Sequence, residues 1–287
     1  MQECVRVPAP AKINLGLHVL PLRDDKFHEI RGIFTTVDLY DEIEVSPSPE
    51  KNTCFVQCEG MNLPLENTFT KAYKAFCVLT GNDRGVCVNV KKHIPSGGGL
   101  GGGSSDASSF IQSIDILFGS HLTPEQKFFL SGKVGSDVFF FTHALLEKTG
   151  NRYAAVVSGR GEAVRQITAR EDFFTVLVFP ETPVSTKNAY ELVDAEKEKS
   201  SVLSHKELED MFYSSPCKWK FVNDFTRPVV RVFPKVGEAL ADIGNCEGVD
   251  FCDMSGSGST VFAVFSSKEK AERALKKLSI KWKTALV

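Results

Sequence analysis

The sequence contains one glycine-rich segment, Pro95-Ser96-Gly97-Gly98-Gly99-Leu100-Gly101-Gly102-Gly103-Ser104-Ser105-Asp106, in which six of seven successive positions are glycine. Glycine at this density is entropically costly to order, which is expected where the backbone must approach a bulky group or adopt a positive φ. A nucleotide phosphate is such a group, because successive free N–H groups bind an anion without any basic side chain. The segment is therefore a candidate phosphate loop, and the alternative interpretation is a flexible linker.

The residues on either side place this segment between a strand and a helix. Val86, Val88 and Val90 alternate with polar or small neighbours and predict a strand. A helix is predicted after the segment, with Ser104 or Ser105 as its N-cap and Gly119 as its end. Its apolar residues recur at helical spacing and are Ala107, Phe110, Ile111, Ile114 and Leu117. This setting favours phosphate binding at a helix N-terminus over a linker.

Two common phosphate loops do not fit the segment. A Walker A loop requires a lysine after its last glycine, where this chain has Ser104. Gly97, Gly99 and Gly102 satisfy the dinucleotide pattern G-x-G-x-x-G. That pattern also requires a following strand with an acidic end, whereas residues 121–130 predict a second helix. The loop therefore belongs to another class.

The composition limits the possible partners. A length of 287 residues suits one large or two medium domains, and a net charge of −2 argues against general affinity for nucleic acid or anionic membranes. The chain has no apolar run of transmembrane length and no signal pattern at its start, which predicts a cytoplasmic location. The eight cysteines are then expected to be reduced, buried and apolar in role. No His, Cys and carboxylate spacing predicts a metal site.

A strand predicted over residues 12–20 carries polar side chains on one face. Lys12, Asn14 and His18 share that face with Gly16, which leaves room for a ligand. By residue type alone, Lys12 is expected to be a solvated surface lysine. Its neighbours favour a functional role instead.

Three further residues have two interpretations each. Phe27 and His28 lie in a predicted loop, where an aromatic packed on the core and a solvated histidine are the ordinary readings. Asp137 precedes an apolar run and is either a helix cap or a catalytic carboxylate that needs a partner such as Lys12.

The rest of the chain indicates an α+β protein. Strands over residues 30–39 and 42–46 are predicted to be joined by Tyr40-Asp41, and Asn67 is predicted to cap a helix that ends at Gly81. The second half predicts a split βαβ arrangement, with one helix over residues 229–243 and a last helix opened by Ser266 and Glu269. We place the domain boundary between residues 1–151 and 152–287.

Several separated segments resemble the GHMP kinases, which phosphorylate galactose, homoserine, mevalonate and related small molecules. They are the glycine loop, residues 9–17 with Phe27 and His28, and residues 254–262, which hold a second glycine loop, Ser255-Gly256-Ser257-Gly258. Residues 135–138 and Asn223-Asp224 also match family positions. The Ala-Lys-Ile-Asn-Leu opening resembles the member whose alcohol substrate carries a cytidylyl group.

The resemblance implies an α+β fold of two domains, a βα domain with the phosphate loop and a ferredoxin-like C-terminal domain, with the active site in the cleft. It implies that residues 95–106 bind ATP, accompanied by Mg²⁺ without a dedicated protein metal site. Lys12 and Asp137 match the family's catalytic pair. The implied reaction transfers the γ-phosphoryl group to a hydroxyl of the cytidylyl substrate, a step towards isoprenoid precursors.

The resemblance also implies a pyrimidine site. Phe27 would stack on the cytosine, His28 would hydrogen-bond to it, Asn14 would lie beside them, and Tyr190 would be the opposing aromatic. The family usually has Gly-Tyr where this chain has Lys26-Phe27, so the ring is kept and the hydroxyl lost. It usually has proline where Phe139 stands, which affects the loop beside Asp137. The expected partners are small molecules only, and no oligomeric state is predicted.

Two other functions remain open from the sequence. A GHMP kinase of the homoserine or mevalonate type would share the glycine loop but would have no use for an aromatic and a histidine facing a pyrimidine. A non-catalytic nucleotide-binding protein of the same fold would need neither Lys12 nor Asp137.

Overall fold

The computed structural model describes residues 4–196 and 201–287. Its contacts divide the chain into two compact units, each assembled from separate segments. The first unit takes its described residues from Met1–Ala11, Leu39–Ile94 and Gly101–Lys148. The second takes them from Lys12–Asp38, Pro95–Leu100 and Thr149–Val287. The boundary between residues 151 and 152 stays a prediction.

The strands, in chain order, are β1 (Val5–Arg6), β2 (Ala9–Leu22), β3 (His28–Ser48), β4 (Cys54–Cys58), β5 (Gly85–Lys91), β6 (Ala154–Ser158), β7 (Ala163–Ile167), β8 (Phe174–Phe179), β9 (Phe251–Met254), β10 (Val261–Phe265) and β11 (Lys283–Leu286). The helices are α1 (Thr68–Thr80), α2 (Gly102–Phe118), α3 (Pro124–Val134), α4 (Ser136–Glu147), α5 (Thr186–Asp194), α6 (His205–Phe212), α7 (Thr226–Val232), α8 (Pro234–Gly244) and α9 (Lys268–Leu278), with a short 3₁₀ turn at Pro216–Lys218. Among the described residues, no helix is long and apolar enough to cross a membrane.

In the first unit, β5 is the strand that leads from the sheet into the glycine loop. It pairs in parallel with β4 and antiparallel with residues 42–48 of β3, which also pair with β1. The alternating valines of β5 face a core that includes Phe76 of α1 and Phe110 of α2. The predicted strand–loop–helix order is therefore confirmed. So are the Asn67 cap of α1 and its left-handed end at Gly81.

In the second unit, β8 to β11 form a four-stranded antiparallel sheet in the order β11-β8-β10-β9. Helix α8 lies between β8 and β9 in the chain, and α9 lies between β10 and β11. This is the predicted split βαβ arrangement, and the prediction is confirmed. The same unit also contains β6, which pairs with residues 32–35 of β3 on one side and with β7 on the other.

Four local predictions were wrong. Helix α2 begins at Gly102 with Gly101 as its N-cap, because the Gly101 carbonyl accepts from Ser105, so neither Ser104 nor Ser105 is the cap. Tyr40-Asp41 does not interrupt β3. The helix predicted over residues 229–243 is two helices, because the residue before Pro234 is disfavoured from helical geometry.

The last of these four errors concerns α9, and a further one concerns the cysteines. Ser267 is its N-cap, while Ser266 donates to the carboxylate of Asp250. The cysteines are all free thiols, but Cys217, on the short 3₁₀ turn, is exposed. Most of the others are only half-buried, so a shared buried role for the cysteines was also too simple.

Candidate active site

The first half of the glycine loop, residues 95–100, is fixed within the second unit through its carbonyl groups. Lys12 N–H donates to the Leu100 carbonyl at 3.0 Å, which joins the loop to β2. Thr260 N–H donates to the Gly98 carbonyl at 3.2 Å, and Ser255 Oγ donates to the Gly99 carbonyl at 3.0 Å. The loop is thus held against the second glycine loop.

Gly99 is the position where this contact demands glycine. Its φ is +76°, and a Cβ built on it would lie 2.0 Å from the Ser255 carbonyl oxygen. Any side chain would therefore clash with backbone and would also adopt an unfavourable φ.

The N–H groups of the same loop remain available for a ligand. In the part of the chain that the structure describes, no residue accepts a hydrogen bond from the backbone N–H groups of residues 99–103. Residues 102 and 103 form the first turn of α2, where the helix dipole adds partial positive charge. Around Gly103, a built Cβ would meet no atom within 4 Å. The N–H groups without acceptors, the helix dipole and the open space at Gly103 together suit an anion that approaches the backbone closely.

A buried ion cluster in the first unit holds the base of the loop. Lys92 Nζ contacts the carboxylates of Asp41 on β3 and of Asp106 in α2, the latter at 2.6 Å. The other oxygen of Asp41 accepts from the N–H groups of His93 and Ile94, at 2.6 and 2.8 Å. Burial raises the pKa of Asp106 to about 7. The residues that enter the loop and the helix that leaves it are thereby tied to one strand.

Lys12 is buried, so the prediction of a solvated lysine from residue type was wrong. Its Nζ donates to Asn14 Oδ1 at 2.5 Å and lies 5.0 Å from the centroid of the Phe34 ring. Asn14 is fully buried, and its Nδ2 has no hydrogen-bond partner among the described residues. An amide donor in that state is costly without a ligand.

The second glycine loop lies close to Lys12. A Cβ built on Gly256 would be 3.3 Å from Lys12 Nζ and 2.9 Å from the Gly99 carbonyl oxygen. Asn223 holds this loop, because its Nδ2 donates to the carbonyls of Met254 and Gly256, each at 2.8 Å. The second unit thus brings the Lys12 ammonium and two glycine-containing loops together.

Asp137 lies in the first turn of α4, in the first unit. Gly135 is the N-cap of that helix, so Asp137 is not its cap. The carboxylate is half-buried, and within its own unit it accepts no hydrogen bond from a described residue. The prediction that Asp137 caps the helix is therefore wrong, although its charge still lies in the first turn of α4, and the partnership with Lys12 stays a prediction.

The predicted pyrimidine site has its ring residues on β3 and α5. His28 Nδ1 donates to the Leu20 carbonyl at 2.8 Å, and its ring stacks on Tyr190 with centroids 5.2 Å apart. His28 Nε2 lies 3.3 Å from Asp194 Oδ2, a contact that is an ion pair only when the ring is protonated. Phe27 is 52 % exposed. The group that faces it is the guanidinium of Arg160, and Tyr190 as its opposing aromatic stays a prediction.

Comparison with known proteins identifies the family. The N-terminal domain of the GHMP kinases matches residues 67–144, and their C-terminal domain matches residues 200–284. The 4-diphosphocytidyl-2-C-methyl-D-erythritol kinase of Treponema pallidum is 35 % identical over 98 % of this chain and 96 % of its own. The chain belongs to this kinase family. The kinase of the same name from Syntrophotalea carbinolica is 33 % identical, over 94 % of this chain and 93 % of its own.

Solved structures agree with this assignment. A crystal structure of 4-(cytidine 5′-diphospho)-2C-methyl-D-erythritol kinase superposes on this kinase with a TM-score of 0.80, 27 % identity and 98 % coverage of both chains. A homoserine kinase from Cytophaga hutchinsonii has a TM-score of 0.69 at 18 % identity, covering 100 % of this chain and 94 % of its own, and shows the fold alone. The GHMP kinase fold and the ATP-dependent kinase class predicted from the sequence are confirmed.

Three features of the site escaped the sequence analysis. The pairing of Lys92 with Asp41 is one of them: a lysine just before a phosphate loop indicates a carboxylate partner, but the sequence does not identify which carboxylate it is. Asn223 was recognised only as a family position, without the loop contacts that it makes. Arg160, between two glycines, had the sequence signature of a residue presented at a hairpin tip.

Proposed function

We propose that this kinase transfers the γ-phosphoryl group of ATP to the 2-hydroxyl of 4-diphosphocytidyl-2-C-methyl-D-erythritol, in the supply of isoprenoid precursors. The observation that carries the proposal is the run of backbone N–H groups at residues 99–103 without acceptors, at the start of α2. These groups suit the phosphates of ATP. The two relatives named 4-diphosphocytidyl-2-C-methyl-D-erythritol kinase supply the identity of the second substrate.

In the proposed reaction, the acceptor oxygen attacks the γ-phosphorus, the bond to the β–γ bridging oxygen breaks, and ADP leaves. Asp137 orients the hydroxyl and takes its proton, while Lys12 Nζ offsets charge on the transferred group. Mg²⁺ would neutralise phosphate charge when bound with ATP.

Specificity for cytosine is proposed to come from His28 and Phe27. Because Nδ1 donates to the Leu20 carbonyl, Nε2 of the neutral ring is an acceptor, and a second acceptor, Asp194 Oδ2, lies 3.3 Å from it. The exocyclic amino group of cytosine has two N–H bonds and is a matching donor for this pair. Uracil presents a carbonyl at that position and would leave Nε2 without a donor. Phe27 offers an exposed ring face for stacking on the base. The buried Nδ2 of Asn14 is a further donor for the substrate.

The test is ATP turnover across a panel of alcohols. We expect phosphorylation of the cytidylyl substrate, a clear loss with its uridylyl analogue, and none with homoserine or mevalonate. Faster turnover of homoserine or mevalonate than of the cytidylyl substrate would assign a different GHMP activity. Binding of ATP without turnover of any alcohol would favour the non-catalytic alternative. The cytoplasmic location stays a prediction.

A further inference from the structure

The hairpin between β6 and β7 presents Arg160 to the loop that carries Phe27. The guanidinium carbon of Arg160 lies 4.8 Å from the centroid of the Phe27 ring, within the range of a cation–π contact. Both residues belong to the second unit. The position of Arg160 therefore bears directly on how the Phe27 ring is presented.

The hairpin tip is built to hold Arg160 in that place. The Gly159 carbonyl accepts from Ile30 N–H at 2.7 Å, which ties the tip to the start of β3, next to the Phe27 loop. Arg160 N–H donates to Glu162 Oε2 at 2.6 Å. Gly159 and Gly161 have φ values of +69° and +123°, which let the chain turn tightly on both sides of Arg160. The backbone of Arg160 is thus fixed relative to Phe27.

Apart from Arg160, few groups among the described residues restrain the ring of Phe27. Its backbone is set by the loop, where Arg23 N–H donates to the Phe27 carbonyl at 2.9 Å. The side chain is half exposed, and the described residues offer no aromatic partner to it. A ring that turned freely would lose its rotational freedom on stacking, which weakens binding of a base.

We propose that Arg160 is a positioning residue of the pyrimidine subsite. It covers one face of the Phe27 ring, holds the ring in a single orientation, and leaves the other face for the cytosine. This inference rests on the proposed function. It adds a residue that acts on the base through Phe27 and has no part in phosphoryl transfer.

The experiment measures binding of cytidine 5′-diphosphate to the full-length kinase by calorimetry. Loss of an exposed cation–π contact corresponds to about 2- to 5-fold weaker binding, which we expect for Arg160→Ala and Arg160→Met. Arg160→Lys keeps a cation above the ring and should restore most of the affinity. ADP binding should not change. Arg165→Ala is the matched control, because it removes the same charge from the same hairpin, where Arg165 pairs with Glu209.

A double-mutant cycle with Phe27→Leu tests whether Arg160 acts through the ring. We expect Arg160→Ala to have no further effect on cytidine 5′-diphosphate binding in the Phe27→Leu protein. The same fold-loss in both backgrounds would overturn the proposal, since Arg160 would then bind the diphosphate directly. Unchanged or tighter binding by Arg160→Ala would also overturn it. Failure of the proposed function would appear separately, as absence of turnover by the unmodified kinase.

Discussion

Gly103→Ala separates the stability of the glycine loop from its ligand function. A Cβ at residue 103 would meet no atom within 4 Å, and the residue lies in the first turn of α2 with no positive φ. Replacing glycine by alanine at such a position restricts the unfolded chain and stabilises a protein by about 0.4–1 kcal/mol. For a chain of this size, the melting temperature without nucleotide should therefore rise by about 1–3 °C.

The same methyl group should weaken ATP binding, because it occupies space next to the free N–H groups. Overfilling a packed site costs about 1–3 kcal/mol, which corresponds to roughly 5- to 150-fold weaker binding. Thermal unfolding without nucleotide and calorimetry with ADP would measure the two effects on one protein. We expect Gly103→Ala to raise the melting temperature and to lower the affinity for ADP.

Gly237→Ala is the matched control for this experiment. Gly237 lies inside α8, and its built Cβ would make only ordinary contacts with Val230, at 3.4 Å or more. It should raise the melting temperature without changing nucleotide affinity. A Gly103→Ala protein that is folded and binds ADP as tightly as the unmodified kinase would refute phosphate binding at the start of α2.

Three other predictions follow from the site and the core. Asp137→Asn should lower kcat by roughly 10²- to 10⁴-fold with both substrates still bound, and full turnover would exclude a catalytic role. His28→Ala should raise KM for the cytidylyl substrate with little change in KM for ATP, and steady-state kinetics with equal weakening of both would contradict a pyrimidine contact. Asp253 is a buried residue of β9, and burial raises its pKa to about 7, above its unfolded value near 3.8. The free energy of unfolding that this residue contributes should therefore fall as pH rises from about 4 to 7. Asp253→Asn should remove that slope in urea titrations compared across this pH range, and an unchanged slope would assign the pH dependence to other groups.

Local signals in the sequence predicted the elements well. The Asn67 cap and the Gly81 end of α1 depend on residues within the helix and its immediate flanks, and both are in the structure as predicted. The α7–α8 break at Pro234 was equally local and was available from the sequence. Adjacent residues therefore predicted both ends of α1, whereas the N-caps predicted for α2 and α9 were off by one or more positions.

Contacts between distant segments account for what was missed. Lys92 meets Asp41 across 51 positions, and Arg160 faces Phe27 only because a hairpin and a loop converge in the fold. The burial of Lys12 has the same origin, since Phe34 on β3 lies against its ammonium group and the Leu100 carbonyl accepts from its backbone N–H. Periodicity cannot report such pairings, because it describes one element at a time.

The bond between Lys92 and Asp106 closes a ring in the chain, 14 positions in circumference, with the glycine segment inside it. Closing a ring of flexible residues lowers the entropy of everything within it before any ligand arrives. The length of the ring is also fixed, because Asp41 ties one flank to β3 while Asp106 belongs to the frame of α2. Apart from positions such as Gly99, which admits no side chain, residues in this ring can therefore be exchanged more readily than they can be added or removed. Insertions are better accommodated in loops that no such contact closes.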